Sequence, residues 1–172
     1  VPLSMCSGCT RLRRIDIPQR VTDIAAFAFD GSALQFVSIP PQVTRIREAV
    51  FRGCGGLFAV ALHDSVQLIG RSAFEGAARL NSITIPDSVT FIDRNAFLGS
   101  ALGGNVSIST ALGASGIQTN AFANCSCSVD LYVGGARLCS CLQCPVAPAP
   151  TLGSSNPTSS PVPLPGSLPP SA

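Results

Sequence analysis

The side chains best suited to chemistry in this sequence are its eight cysteines and its single histidine, His63. Acyl transfer by a nucleophile needs a neighbouring base and an orienting acid, and His63 is the one imidazole that could be that base. His63 follows a short alternating apolar segment, where a surface turn is expected. The aspartates fall at turn positions, where capping explains them. No catalytic residues are therefore predicted, and the sequence indicates a protein that is not an enzyme.

The cysteines are concentrated towards the C-terminal end, where five lie close together: Cys125, Cys127, Cys139, Cys141 and Cys144. Small regions without a large core are commonly stabilised by disulfides, so we predict a disulfide-bonded cap. Cys141 and Cys144 also have the spacing of zinc ligands, but the C-x-C spacing of their candidate partners is unusual for zinc. The strand–helix pattern of thiol–disulfide catalysts is not found around these cysteines, so this activity is not predicted. We predict no metal or cofactor, and the disulfide pairing cannot be deduced.

A repeated unit of about 23 residues must position these side chains, and its clearest copy runs from Leu80 to Leu102. Alternating apolar residues at its start predict a strand with one buried face, which Pro86 ends. A second short buried segment follows, and then a tight helical turn that directs Phe97 inward before Gly99 reverses the chain. One such unit leaves its apolar stripe uncovered, so copies must stack to bury it.

The same apolar residues recur at matching offsets in the other copies. The leucine anchors are Leu12, Leu34, Leu57 and Leu80, and the inward aromatic residues are Phe29, Phe51, Phe74 and Phe97. Each of these phenylalanines is followed two residues later by a glycine, and a looser fifth copy includes Phe122.

These residues resemble the BspA-type leucine-rich repeat, with a pattern close to L-x-x-I-x-I-P-x-x-V-x-x-I-x-x-x-A-F-x-G-C-x-x-L, from Met5 to about Cys125. The resemblance implies a repeat solenoid with one strand per coil in a parallel sheet on the concave face, and with short turns and helical turns on the other side. It also implies a family used on cell surfaces for adhesion and recognition. His63 departs from the pattern, since the other coils have proline there, and Ala49-Val50 loosens the Ala-Phe step of one coil.

Three regions are predicted from the composition along the chain. Residues 1–125 form the solenoid, with a partial first coil and about five further coils; residues 126–145 form the Cys-rich cap. Residues 146–172 contain eight of the 14 prolines and no charged or aromatic residue, which is typical of a disordered linker or stalk. Because Met5 to Cys9 match the end of a repeat, we expect the sequence to be a fragment of a longer protein.

The overall composition excludes several classes of partner. The net charge is only +2, and all 11 basic residues are scattered arginines, which argues against a nucleic-acid partner. No apolar run approaches the ~20 residues of a membrane span, so membrane insertion is not expected. The glycosylation candidates Asn105 and Asn124, the cysteines and the stalk together predict an extracellular or cell-surface location. We expect a monomer.

The remaining candidate site is the outward face of the predicted sheet. Its ligand-binding candidates are Arg14, Asp16, Phe36, Ser38, Phe58, Ser82 and Thr84. Aromatic and arginine residues on an otherwise small and polar face are typical of binding hot spots, so a protein or glycan ligand is predicted on the concave face. Two alternatives remain open: Phe36 and Phe58 could serve only to cover each other, and the repeats could be a structural spacer with no ligand of their own.

Overall fold

The computed structural model describes residues 5–102, 106–108, 112, 114–125, 132–133 and 136–137. In chain order the described strands are β1 Phe36–Ser38, β2 Arg45–Ile46, β3 Ala59–Ala61, β4 Leu68–Ile69, β5 Ser82–Ile85, β6 Phe91–Ile92, β7 Val106–Ile108, β8 Tyr132–Val133 and β9 Ala136–Arg137. A short 3₁₀ helix covers Ala114–Gly116. The predicted tail lies outside the described residues. Of the predicted cap only β8 and β9 are described, and they pair antiparallel.

The predicted parallel sheet is present, with strand order β1-β3-β5-β7. Phe36 pairs with Ala59, and Ala59 pairs with Ser82, so equivalent positions of successive repeats lie side by side. Alternation along each strand determines which side chains are buried. In β1, for example, Val37 is fully buried while Phe36 and Ser38 on either side of it are exposed.

A second parallel sheet, with strand order β2-β4-β6, was not predicted as a sheet. The sequence indicated only a short buried segment here, which the structure shows to be extended, with Ile46, Ile69 and Ile92 fully buried. Extension is favoured because the backbone N–H and C=O groups of each segment face those of the next repeat, and pairing satisfies both.

The predicted helical turn before each inward phenylalanine is wrong. The residue two positions before the ring has a positive φ in five repeats, at Phe27, Ala49, Ser72, Asn95 and Asn120. A left-handed residue cannot continue a right-handed helix, so each segment is instead a hydrogen-bonded turn. The ring residue's backbone N–H then bonds to the following repeat, as in Phe74 N to Ala96 O at 2.7 Å.

The core consists of rows of identical side chains, one from each repeat. Five phenylalanines form one row, Phe29, Phe51, Phe74, Phe97 and Phe122, with successive ring centroids 5.7, 5.4, 5.1 and 5.0 Å apart and interplanar angles of 7–11°. Each of the first four rings is fully buried, which confirms the inward direction predicted for them. The rows fix the strands in register, and the register places the outward side chains of the β1-β3-β5-β7 sheet.

Candidate functional site

The outward positions of the β1-β3-β5-β7 sheet form columns that run across the repeats. Arg14 makes an isolated parallel bridge to Phe36, so it extends the column that continues through Ala59 to Ser82. The next outward column includes Ser38 paired with Ala61, and Thr84 paired with Ser107. Adjacent members of a column are about 4.8 Å apart, which allows one ligand to contact several of them.

A shallow depression lies at the Arg14 end of this face. Its volume is about 300 Å³, and its lining residues are Arg13, Arg14, Gln35, Phe36 and Phe58. Backbone hydrogen bonds hold the row that borders it, with Gln35 N donating to Arg13 O at 2.9 Å and Phe58 N donating to Gln35 O at 3.0 Å. We call these five residues the Arg–Phe depression.

The two phenylalanines of the Arg–Phe depression remain open to solvent. Phe36 is 37% exposed and Phe58 is 48% exposed, in a protein whose five-ring row is almost completely buried. Contact between the two rings would therefore leave much of their surface uncovered.

The structure brings together only part of the predicted site. Arg14, Phe36 and Phe58 meet in the depression, whereas Ser38 and Thr84 lie farther along the sheet, and both are exposed. Asp16 is exposed two residues after Arg14, on the same side of the extended segment. Sequence reasoning missed Gln35. The only signal for it was its place directly before Phe36, in the row between Arg13 and Phe58.

Two arginines outside the depression, Arg47 and Arg52, are paired with aspartates. Arg47 Nε lies 2.6 Å from Asp23 Oδ1, and Arg52 forms a two-point ion pair with Asp30 while its guanidinium lies 5.3 Å from the Phe27 ring centroid. The hydrogen bond to Asp30 raises the pKa of Arg52. Within the part of the chain that the structure describes, no salt bridge involves Arg13 or Arg14.

The cysteines of the repeats occupy structural positions. Cys54 is fully buried, with its thiol donating to Phe29 O at 3.1 Å and lying 3.2 Å from Ser32 Oγ. Burial raises the pKa of this thiol, so it stays protonated at neutral pH. Cys125 is also buried and donates to Phe97 O at 3.0 Å; its predicted disulfide stays a prediction. The other predicted disulfide cysteines, Cys127, Cys139, Cys141 and Cys144, lie outside the described residues.

The remaining candidates for chemistry lie on the surface. His63 is exposed, and its carbonyl accepts from Val66 N at 3.0 Å in a turn like the one that Pro86 makes with Val89. Asn124 is exposed, and Asn105 is outside the described residues. Among the described residues, no cluster of three or more histidine, cysteine or acidic side chains could hold a metal ion. No helix in the described ranges is long and apolar enough to cross a bilayer.

Comparisons with known proteins agree with the repeat pattern. The family model of the BspA type leucine rich repeat region matches residues 3–103 in six copies. A leucine-rich repeat protein from Bacteroides ovatus is 31% identical with a TM-score of 0.58, over 66% of this chain and 30% of that one. A leucine-rich repeat protein from Bacteroides capillosus is 31% identical with a TM-score of 0.48, over 54% of this chain and 74% of that one.

The chain therefore spans less than a third of the Bacteroides ovatus structure. No curated relative matches it. The six repeat copies cover more than half of the sequence, and the parallel strands pair equivalent positions of those copies. The chain belongs to the BspA-type leucine-rich repeat family.

Proposed function

We propose that this chain is a non-enzymatic binding module of a surface or secreted protein, and that it engages a protein or glycan through the β1-β3-β5-β7 face. In this proposal the repeats of about 23 residues form a solenoid, this face is concave, residues 126–145 form a disulfide-bonded cap and residues 146–172 form a linker. One observation carries the proposal: Phe36 and Phe58 are exposed and line one depression together with two arginines on the face of this sheet.

The exposure of these aromatic rings is set by the backbone, because the paired strands leave the side chains little freedom to turn inward. Phe36 lies in a strand that is hydrogen-bonded to β3, and its outward direction is fixed by the burial of Val37. A rigid surface loses little conformational entropy when a ligand binds, so more of the contact energy appears as affinity. Aromatic and arginine side chains at the centre of such a surface are typical hot spots.

The family supports binding in general terms, since leucine-rich repeats generally mediate protein interactions. The surface or secreted location is supported by the family, whose repeats are common in surface or secreted proteins, and by the cysteines and sequons of the sequence. The alternative is a structural spacer with no ligand, for which the exposed rings would have no purpose.

The proposal is tested by screening the full chain against extracellular proteins and glycans, followed by affinity measurements for each hit. Replacing Phe36 and Phe58 together by alanine should weaken binding at least about tenfold, because each ring would supply hot-spot contacts. Phe91→Ala is the matched control, since Phe91 is a half-buried phenylalanine of the other sheet. Retained affinity in the double variant would overturn the proposal, and a screen without hits would favour the spacer.

A further inference from the structure

We infer that the ligand of the Arg–Phe depression is an acidic protein segment, which places an apolar side chain against Phe36 and Phe58 and carboxylates against Arg13 and Arg14. This inference rests on the proposed function and specifies the chemistry of the partner. Three observations support the inference: the charge of the two arginines, the size of the depression and the order of its lining residues.

The charge argument begins with a contrast to two arginines elsewhere in the repeats. Arg47 and Arg52 are each held by an aspartate of the preceding repeat at 2.6 Å, so their positive charges are compensated within the fold. Arg13 and Arg14 are both exposed, and among the described residues no carboxylate forms a salt bridge with either. Two adjacent guanidinium groups present several N–H donors in a geometry that matches carboxylates.

The shape argues for a side chain rather than a whole small molecule. A volume of about 300 Å³ is at the lower limit of small-molecule sites, and this depression is shallow and lies on a sheet surface. Gln35 lies between Arg13 and Phe58 in one row of the lining, and Arg14 pairs with Phe36 in the neighbouring column. The side-chain amide of Gln35 can both donate to and accept from the backbone of an extended peptide.

The pairing of two arginines favours a peptide over a sugar chain. In an extended peptide, residues at alternate positions share a face, so one segment can present carboxylates and an apolar side chain to the same surface. An acidic oligosaccharide has no apolar side chain to place against the two rings. Asp16 restricts where the acidic residues can lie, because it is exposed two residues after Arg14 on the same side of the segment and its carboxylate would repel them. The acidic part of the ligand should therefore lie over Arg13 and Arg14, on the side away from Asp16.

The inference is tested by titrating the isotopically labelled full chain with three peptides, each with a central leucine flanked on both sides by two glutamates, two glutamines or two lysines. The glutamate peptide should shift the backbone amide resonances of Gln35, Phe36 and Phe58. It should also bind about tenfold more tightly than the glutamine peptide, and higher ionic strength should reduce this preference. A sialylated oligosaccharide serves as the probe for the glycan alternative.

Three variants complete the experiment. Arg13→Gln combined with Arg14→Gln should remove the preference for glutamate over glutamine, and Asp16→Asn should increase the affinity for the glutamate peptide. Arg71→Gln is the matched control, because Arg71 is an exposed arginine away from the depression, and it should change nothing.

Four results would overturn the inference: equal binding of the glutamine peptide, tighter binding of the sialylated oligosaccharide, absence of resonance shifts at the depression, or a preference that survives the double arginine variant. The first two would leave the proposed binding face intact. Loss of the proposed function itself would appear instead as partner binding that does not depend on Phe36 and Phe58.

Discussion

At the scale of single residues, the small buried side chains of Cys54, Ser100 and Cys125 each donate to the carbonyl group of an inward phenylalanine. Cys54 donates to Phe29 O at 3.1 Å, and Ser100 donates to Phe97 O at 2.7 Å. Both residues lie three positions after a phenylalanine of the row. The acceptors differ, since Cys54 reaches the phenylalanine of the preceding repeat and Ser100 reaches that of its own. Serine and cysteine can nevertheless share the position because each has one short polar donor. They differ in ionisation, since the thiol can ionise at alkaline pH and the serine hydroxyl cannot.

This difference predicts how stability depends on pH. Burial raises the pKa of Cys54 above its ordinary value, so the unfolded thiol ionises at a lower pH than the folded one. The contribution is fully present below the unfolded pKa and is lost as pH rises through the folded pKa. Above about pH 8.5 the free energy of unfolding should therefore fall, by at most about 1.4 kcal/mol per pH unit for one thiol.

The substitution Cys54→Ser isolates this effect, because serine already occupies the equivalent positions 32 and 100. Urea unfolding in reductant at about pH 7 and about pH 10 should show a smaller alkaline loss of stability in the variant than in the parent. The pKa of Cys6 is also raised, by burial and by its hydrogen bond with Cys9, so some alkaline dependence should remain. An unchanged dependence in the variant would contradict the role assigned to Cys54.

At the scale of elements, β4 approaches the preceding repeat so closely that the position after it accepts only glycine. Gly70 follows β4, and its N–H donates to Ile46 O at 2.7 Å. A Cβ at this position would lie 2.7 Å from Ile46 O and 2.9 Å from the carbonyl carbon of Arg47. Both neighbours are backbone atoms, which cannot move without displacing β2.

Gly70→Ala should therefore reduce the free energy of unfolding by about 1–3 kcal/mol, the usual cost of an overpacked site. Gly55→Ala is the matched control, because a Cβ there meets nothing within 4 Å. That variant should be neutral or more stable by up to about 1 kcal/mol, since alanine restricts the unfolded chain. Equal midpoints of urea denaturation for the two variants would show that the close approach at Gly70 is not present in solution.

The elements also show why part of the structure was predictable. Alternation in segments such as β5 fixes which residues are buried, and the repeated phenylalanines identify their own row. The two-residue strands of the second sheet are too short to show alternation, and their hydrogen-bond partners lie in the next repeat. The left-handed turns carry a signal at Asn95 and Asn120, because asparagine tolerates positive φ, but none at Phe27. At the candidate site, the sequence predicted Phe36 because it occupies an outward position of a strand. Gln35 was not predicted, because its place in the row between Arg13 and Phe58 is shown only by the structure.

At the scale of the whole molecule, the stability of each repeat depends on its neighbours. The phenylalanine row, both sheets and the hydrogen bonds of the turns all join one repeat to the next. Stability in such an arrangement is approximately a sum of terms within repeats and between adjacent ones. The Arg–Phe depression forms only when three successive repeats are folded together, because it combines Arg13 and Arg14 of one, Gln35 and Phe36 of the next, and Phe58 of the third.

This dependence is tested by Phe74→Ala, which removes the central ring of the five-ring row. Loss of a fully buried ring should reduce the free energy of unfolding by about 3–5 kcal/mol. Hydrogen exchange should then lose protection first at the amides that join this repeat to the next, including Phe74 N to Ala96 O and Gly76 N to Leu98 O. Phe58→Ala is the matched control and should melt like the parent, because that ring is 48% exposed. If Phe74→Ala also melts like the parent, the Phe74 ring does not occupy the core and the assignment of the five-ring row is wrong.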